Sequence, residues 1–329
     1  MARRLLRSAV KAAVLRVLGS GPVVSRKIAR IRSTGSLTIL NLHRVAPYDR
    51  STYPPLAPEL FDYLLAFLAP RFEITTFAGL TEPARGERPR LILSFDDAYK
   101  DFADYAAPIM ARHGVRANLN VIPACIEKAE PPLNVVLNDF VGRAPAKLLE
   151  EFEVPGFPQW RAGASRDEHG GRLAAFVKDK PMAEQRALEP ALRAQIARDE
   201  QFRPTPMMSR EEVREAGRVH EIGGHSFEHA NIGCESDDYL RADVAACRRY
   251  FSEELDLPLS IYALPNGSHR PGQIELLRQE GLKQILLVGE DFSSEGGDVH
   301  TRFTFDARSR AEARFRGTGA YSWPKGPGR

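Results

Sequence analysis

The sequence has few cysteines and no long hydrophobic run. Its 329 residues include three cysteines, an odd number that contains no CxxC pair. A disulfide-stapled secreted domain would have more, so the count favours a reduced, cytoplasmic protein. No apolar run approaches the roughly 20 residues that a membrane-spanning helix needs. With 43% hydrophobic and 27% charged residues, the composition is that of a globular protein and excludes both disorder and a bundle of membrane helices.

Acidic residues are missing from the first 35 positions. Residues 1–35 contain nine Lys or Arg, whereas the rest of the chain has 37 basic and 43 acidic residues. The net charge of +3 therefore hides an acidic body. Such a body lacks the basic stripe that follows nucleic-acid phosphates. We expect no nucleic-acid partner.

The basic N-terminal segment, residues 1–35, lacks the pattern of a secretory signal, because Lys11 and Arg16 interrupt its apolar stretch. Apolar residues recur in it at the spacing of an amphipathic helix. They are Leu6, Val10, Ala13, Val14 and Val17. Two interpretations stay open. Residues 1–32 could lie on an anionic membrane surface, which would place a cytoplasmic protein at the inner face of the membrane. Alternatively the helix packs on the body or frays, and we favour this second interpretation somewhat.

From residue 36 to residue 306, short β-like runs alternate with amphipathic helical stretches. This alternation is typical of a mainly parallel α/β sheet or barrel. The predicted strands are 37–42, 72–76, 90–95, 116–122, 220–224, 260–264 and 284–288. The predicted helices are 58–69, 102–113, 209–218, 236–254 and 271–280.

Two segments depart from this rhythm. Between about residues 124 and 204 the strands lapse, and a helix at 183–199 is predicted inside a large insertion. From residue 307 to 329, Gly-Thr-Gly and Lys-Gly-Pro-Gly predict a flexible tail. We therefore expect a basic segment, one α/β domain over residues 36–306 that carries the insertion, and a tail.

The segment His225-Ser-Phe-Glu-His229 places two histidines four residues apart. Two neutral imidazoles at this spacing commonly bind one metal ion. A third ligand is expected from Asp96-Asp97, where an apolar run ends in two carboxylates. Together they predict a hydrolytic site with two histidines and one carboxylate, in which one aspartate binds the metal and its neighbour accepts a proton from water.

Several polar groups directly follow predicted strands. They are His43, Asp96-Asp97, His225 and the turn Pro265-Asn266-Gly267. In a parallel sheet or barrel the carboxyl ends of the strands lie on one face, where active sites are built. These segments are therefore expected to converge on one pocket.

Each motif alone also has an ordinary explanation. A pair of aspartates after a strand is often a turn or a helix cap, and two histidines can simply be solvated. The same His225–His229 segment also fits the H-x-x-E-H motif of zinc peptidases. That motif belongs on a continuous helix, whereas Gly223-Gly224 before it predicts the exit from a strand.

These residues resemble the polysaccharide deacetylase family (NodB homology domain, carbohydrate esterase family four). Ser94-Phe95-Asp96-Asp97 is similar to its T/S-F-D-D motif, and His225-Ser-Phe-Glu-His229 to its H-S/T-x-x-H motif. The resemblance covers roughly residues 37–122 and 205–290. It implies a distorted (β/α) barrel of about seven parallel strands, a divalent metal, usually Zn²⁺, and hydrolysis of an N-acetyl group on an amino sugar.

Matched position by position, the resemblance implies that Asp96 is the general base and that Asp97, His225 and His229 bind the metal. The element Leu40-Asn-Leu-His43-Arg-Val45 is similar to the Y-H-x-V element of permuted members. In that subgroup the histidine is the catalytic acid, so the resemblance gives this role to His43.

One family motif is changed. The R-x-P-Y/F motif, whose arginine pairs with the base aspartate, is Ala263-Leu-Pro265-Asn266 here. Arg44 or Arg270 could substitute for the missing arginine. A backbone N–H near Asn266 could still bind the oxyanion, because a main-chain donor does not depend on the side chain. We therefore assign Pro265, Asn266 and Gly267 to substrate or oxyanion binding.

The late Leu-x-His motif of the family is absent. After the strand predicted at 284–288 the chain continues as Gly-Glu290-Asp291. This absence favours His43 as the acid, with His269 and His300 as weaker candidates.

The sequence thus predicts a metal-dependent hydrolase that removes N-acetyl groups from an amino sugar, with metal-bound water as the nucleophile. Its expected partner is a surface glycan, a precursor of one or a lipid-linked glycan. The two changed motifs support a different hypothesis, a glycan-binding protein whose deacetylase site has decayed. An amino-sugar deformylase and an H-x-x-E-H zinc peptidase are weaker alternatives.

Overall fold

The computed structural model describes residue 10 and residues 12–324, and in them seven parallel strands close into a barrel. Two further strands flank this barrel. In chain order the strands are β1 (Ser36–Leu42), β2 (Glu73–Thr75), β3 (Arg90–Asp97), β4 (Asn118–Val121), β5 (Glu221–Gly224), β6 (Ile261–Ala263), β7 (Gln284–Val288), β8 (Ser293–Ser294) and β9 (Val299–Thr304). The flanking strands are β2 and β8. The ring runs in the order β1, β3, β4, β5, β6, β7 and β9, and β9 pairs with β1 again. The predicted barrel of about seven parallel strands is confirmed.

One member of the ring differs from the predicted set. The run at 72–76 forms β2, which pairs only with the start of β3, because β4 occupies that edge from Ser94 onward. Strand β9, which was not predicted, takes the seventh place between β7 and β1. The short β8 pairs antiparallel with the start of β1.

The helices surround this ring. They are α1 (Gly21–Thr34), α2 (Pro58–Leu68), α3 (Ala107–Arg112), α4 (Pro123–Lys128), α5 (Leu133–Arg143), α6 (Ala146–Glu150), α7 (Arg166–Lys178), α8 (Met182–Ile196), α9 (Arg210–Gly217), α10 (Asp237–Tyr250), α11 (Gln273–Gln279) and α12 (Arg310–Gly317). All five helices predicted around the barrel are present. A π-helical turn, Phe102–Ala106, precedes α3, and another, Phe251–Leu255, follows α10.

The main core lies between the barrel and these helices. Every residue of β3 is buried, as expected for a parallel strand covered on both faces. Phe95 of β3 contacts the rings of Phe61 and Phe102 edge to face, at centroid distances of 5.8 and 5.1 Å. Replacing such a buried ring by alanine typically costs about 3–5 kcal/mol of stability. This packing fixes β3, and with it the two aspartates at its end.

The large insertion between the Asp-Asp and His-x-x-x-His motifs is confirmed as a helical subdomain. Helices α5 to α8 enclose a second hydrophobic core around Phe140, Leu149 and Trp160. Arg143 fastens it to the barrel through Asp49 and to its own helix through Asp139. The insertion therefore folds around its own core, and the partly buried ion pair between Arg143 and Asp49 joins it to the barrel.

The C-terminal segment differs from the flexible tail that we expected from residue 307. Ser309 caps the N-terminus of helix α12, and its hydroxyl accepts a hydrogen bond from the N–H of Glu312. Its buried face, which includes Ala313 and Phe315, packs on the body beside α2. The glycine-rich sequence suggested disorder, but it follows a helix that buries an apolar face, and residues 325–329 lie outside the described part.

Helix α1 packs on the body through Val24 and Ile31, and Gly35 caps its C-terminus. Gly35 adopts φ 60°, where its N–H bonds the carbonyl of Arg32, a conformation that glycine takes without strain. Of the face predicted from Leu6 to Val17, Leu6 lies outside the described residues. No helix among the described residues is long and apolar enough to span a membrane.

Candidate metal and catalytic site

The barrel brings the predicted site residues to one end. Leu42 of β1 lies opposite Phe95 in the strand register, so His43 and Asp96 follow as the next positions. On the other side of β3, Asp97 pairs with Val121, whose carbonyl accepts a hydrogen bond from the N–H of His225. The carboxyl ends of parallel strands thus meet, as the sequence predicted.

Asp97, His225 and His229 form a compact cluster of candidate metal ligands. Their ligand atoms all lie within 4.8 Å of one another. The Nε2 atoms of His225 and His229 are 3.4 and 3.7 Å from Oδ1 of Asp97. That Oδ1 is buried and has no hydrogen-bond partner among the described residues. An uncompensated buried oxygen facing two imidazoles fits a bound divalent cation.

The backbone turns these side chains inward by leaving regular structure. Asp97 and Ala98 have φ of 78° and 63°, and Ser226 and His229 have φ of 58° and 63°. Residues other than glycine seldom adopt this left-handed conformation, and its cost of order 1–3 kcal/mol persists where surrounding contacts impose it. At Asp97 the turn breaks the alternation of the strand, which lets two consecutive carboxylates reach one pocket.

A carbonyl group orients the first histidine. Nδ1 of His225 lies 2.9 Å from the carbonyl oxygen of Ala263 in β6, which accepts its N–H. This bond leaves Nε2 without a proton on the side of Asp97. Burial lowers the pKa of His225 to about 4 despite the nearby charges of Asp96 and Asp97. The ring is therefore neutral, as a metal ligand must be.

Asp243 of α10 holds the loop between the two histidines. Its carboxylate accepts hydrogen bonds from the Ser226 hydroxyl and the Phe227 N–H, at 2.8 and 2.9 Å, and from the Tyr262 hydroxyl at 2.5 Å. Burial raises the pKa of Asp243 although these donors oppose the shift. Asp243 is not among the residues that the sequence motifs predicted.

A signal for Asp243 was nevertheless present. It occupies the apolar face of the amphipathic helix α10, between Leu240 and Cys247, where a charged residue is out of place. Buried charges need hydrogen-bonding partners. An acid at this position therefore indicated a supporting role.

Arg302 supplies the cation that the changed Ala-Leu-Pro-Asn motif lacks. It is fully buried in β9, and its two terminal nitrogens lie 2.7 and 2.9 Å from the two oxygens of Asp96. Burial alone would raise the pKa of Asp96, but the charge of Arg302 outweighs it and lowers the pKa well below the usual range. Asp96 is therefore ionised and fixed in orientation by a bidentate pair.

The two substitutes suggested by the sequence are wrong. The buried Arg44 pairs with Asp49 and Asp101, at 2.9 and 3.0 Å. Arg270 pairs with Asp237 on the surface. Each is already engaged by other carboxylates, so neither contacts Asp96.

A polar layer inside the barrel completes the environment of Asp96. Asn120 donates to Oδ1 of Asp96 at 2.7 Å and to the Ser94 hydroxyl at 3.2 Å. The absence of a side chain at Gly223 makes room for this layer, because a Cβ there would lie 2.4 Å from Oδ1 of Asn120. Gly223 of the Gly223-Gly224 pair is therefore required by packing.

His43 lies directly after β1, with its ring 6.0 Å from that of Tyr53. A positive charge on His43 would lower the pKa of both Asp96 and His229. The two weaker acid candidates lie elsewhere. His300 is buried between Ser293 and Gln284, outside the pocket, and His269 is exposed with Nδ1 3.0 Å from the Gly267 carbonyl.

The turn Pro265–Gly267 follows β6 at the edge of the site. Asn266 has φ 58°, and the N–H groups of Gly267 and Ser268 bond back to Leu264 and Pro265. The Asn266 side chain accepts a hydrogen bond of 3.0 Å from Lys178. Because Lys178 ends helix α7, the insertion reaches this edge of the site.

The peptidase interpretation is wrong. Residues 225–229 form a loop without helical structure, so the H-x-x-E-H spacing does not lie on one helix face. Glu228 forms an ion pair with Arg186 of the insertion instead of facing the ligand cluster.

No protein-family model and no curated relative matches the sequence. Similar solved structures are the Streptococcus pyogenes deacetylase PplD in complex with acetate (TM-score 0.56, 14% identity, 86% of this chain and 98% of that one), and IcaB from Ammonifex degensii (0.53, 15%, 86% and 97%). A third is a de-N-acetylase from Aggregatibacter actinomycetemcomitans (0.51, 12%, 82% and 95%). At these identities the similarity concerns the fold. The chain has the NodB-like barrel fold of these structures.

Proposed function

We propose that this protein is a metal-dependent hydrolase that removes N-acetyl groups from an amino sugar of a glycan. The observation that carries the proposal is the pairing of a fixed, ionised Asp96 with the adjacent ligand cluster of Asp97, His225 and His229. A base beside a metal site is the arrangement that amide hydrolysis by water requires.

The donor set fits a divalent ion. Two neutral imidazoles and one carboxylate are a combination typical of catalytic Zn²⁺, which keeps an open position for substrate or water. Such an ion, when bound, would polarise the amide carbonyl and lower the pKa of a bound water to about 7. Asp97, His225 and His229 would hold it.

Asp96 would accept the proton of the attacking water. Its carboxylate is ionised because Arg302 stabilises the charge. Arg302 and Asn120 donate hydrogen bonds to the Asp96 carboxylate from the barrel interior, and these bonds fix its orientation. This preorganisation lowers the barrier without any rearrangement during the reaction.

Two further groups would complete the reaction. The backbone N–H of Asn266, whose neighbours Gly267 and Ser268 are already bonded within the turn, would stabilise the oxyanion formed from the amide carbonyl. His43 would donate a proton to the departing amine. The products are acetate and a free amino sugar.

The substrate class rests on the fold and on the site together. The similar structures include polysaccharide deacetylases, and we propose for this chain a surface glycan, its precursor or a lipid-linked glycan. Removal of a formyl group would use the same chemistry, so acetate and formate must be measured separately. The three free cysteines agree with action in the cytoplasm.

The test is release of acetate by the zinc-loaded protein from a panel of N-acetylated glycans. Asp96→Asn should abolish turnover and keep the metal, whereas His225→Ala should lose both; equal metal loss in the two variants would refute the assigned roles. The exposed His269→Ala is the matched control and should keep both properties.

The same experiment separates catalysis from binding alone. A decayed deacetylase would retain the glycan and the fold but release neither acetate nor formate. The hypothesis of a decayed site was based partly on the missing motif arginine. Arg302 lies beside Asp96 and supplies a positive charge there. His43→Ala should lower the rate by about 10²–10⁴-fold if His43 is the acid, and an unchanged rate would remove it from the mechanism.

A further inference from the structure

The first and last described stretches of the chain form one surface on the body, which we call the terminal surface. It comprises exposed residues of the N-terminal helix, described at residue 10 and residues 12–18, of α1 and of the stretch after α12. They are Val10, Val14, Arg16, Val17, Arg26, Arg30, Tyr321 and Trp323.

Exposed apolar side chains are concentrated on this surface. Val10, Val14 and Val17 are 56, 45 and 64% exposed, and Tyr321 and Trp323 are 71 and 48% exposed. These are five of the eight large hydrophobic side chains that the described residues expose. The three valines recur at i, i+4 and i+7, so they form one stripe of a helix.

Packing on the body does not explain this stripe. Leu15 lies on the other side of the same helix and is buried against Phe315 and Ala320, with Leu18 packed on the same cluster. The helix therefore already buries one apolar side. An additional apolar side left in water indicates a contact that forms with something else.

The two chain ends are held together. Lys27 of α1 donates a hydrogen bond to the Ala320 carbonyl and lies over the rings of Phe315 and Trp323. Arg30 bonds the Pro324 carbonyl at 3.4 Å. These contacts place Trp323 beside α1, so the aromatic residues and the N-terminal helix belong to one continuous surface.

The exposed charges of this surface are positive. Residues 12–35 contain five basic residues and no acid. Of these, Arg16, Arg26 and Arg30 are all exposed on the terminal surface. Basic charge around an apolar stripe complements anionic headgroups over an acyl layer.

We infer that the terminal surface docks on a lipid bilayer that contains anionic lipids. The valine stripe enters the boundary between headgroups and acyl chains, Tyr321 and Trp323 lie at the headgroup level, and the three arginines bind lipid phosphates. A second copy of the chain fits less well, because a symmetric contact would place like charges against one another. The inference does not depend on the proposed function.

The test is flotation of the full chain with lipid vesicles. The chain should float with vesicles of phosphatidylcholine and phosphatidylglycerol and not with phosphatidylcholine alone. The double variant Val14→Ser with Val17→Ser should weaken binding by about tenfold or more, because it removes apolar area from the interface. Val219→Ser replaces a valine that is also exposed, at 53%, but follows α9 and is not part of the terminal surface, and should bind like the wild type.

The arginines are tested separately. Arg16→Gln, Arg26→Gln and Arg30→Gln should each weaken binding by about fivefold, since one basic residue near an anionic surface contributes about that factor. Binding should also fall with salt. Arg172→Gln, an exposed arginine of the insertion, is the charge control. Circular dichroism and release of acetate from a water-soluble glycan should be unchanged in all of these variants.

Three results would overturn the inference. One is absence of binding to the anionic vesicles. Another is equal loss of binding in the valine variant and in Val219→Ser. The third is dimerisation measured by light scattering that the valine variant abolishes, since the stripe would then contact a second copy. Loss of vesicle binding with intact acetate release would leave the proposed function standing.

Discussion

Arg302 reaches from β9 past β1 and binds both carboxylate oxygens of Asp96 at the end of β3. Both side chains are buried, at 0 and 2% exposure. A buried ion pair of this kind contributes little net stability, but removing one partner leaves an uncompensated charge. The pair is therefore best explained by what it does for Asp96, which is to keep it ionised and oriented.

Replacing Arg302 by methionine should destabilise the protein by about 3–5 kcal/mol, because the charge of Asp96 would remain buried without its partner. The double variant Arg302→Met with Asp96→Asn should recover much of that loss. Both variants should release no acetate. Urea unfolding measures the stabilities, and a double variant no more stable than Arg302→Met alone would show that the two residues are not coupled.

Asp243 positions the metal loop through Ser226, Phe227 and Tyr262. Asp243→Asn should weaken zinc binding by about 10–100-fold, the usual effect of losing a group that orients metal ligands. Calorimetric titration of the metal-free protein measures the affinity. Asp238→Asn is the control on the same helix, since Asp238 is exposed. Equal affinities in both variants would mean that the loop keeps its shape without Asp243.

Much of the barrel was predictable because its strands are continuous buried runs bounded by turns. Strand β9 was not, since three consecutive polar residues, His300, Thr301 and Arg302, interrupt any apolar run there. The buried His300 and Arg302 are accommodated by polar partners that other strands supply. Arg302 could not be assigned from sequence, because its contact with Asp96 exists only once β9 and β1 pair. The motif residues were predictable because each ends a strand.

Buried neutral histidines should make the metal-free protein sensitive to acid. Burial lowers the pKa of His220 to about 4, and its Nδ1 accepts the Ala117 N–H, which a protonated ring cannot do. The unfolded chain takes up a proton below about pH 6.5 and the folded chain does not. The contribution of His220 is therefore complete above pH 6.5 and is lost as the pH falls toward 4.

His220→Gln should accordingly reduce the dependence of unfolding free energy on pH between 6.5 and 4, by at most about 3 kcal/mol over that range. Denaturant unfolding at a series of pH values measures it. His269→Gln, at an exposed position, should leave the dependence unchanged. Parallel curves for wild type and His220→Gln would show that His220 protonates without cost in the folded protein.

Asn266→Gly tests whether the oxyanion donor is the backbone or the side chain. Asn266 has φ 58°, which glycine adopts without strain, so the turn should keep its shape and its N–H should keep its direction. The rate of acetate release should then stay within about twofold of the wild type, because a main-chain donor is independent of the side chain. Asn266→Val, whose branched side chain is strained at positive φ, should distort the turn and lower the rate. A loss in Asn266→Gly as deep as that in Asp96→Asn would instead assign the side-chain amide, which Lys178 holds at 3.0 Å, to the oxyanion.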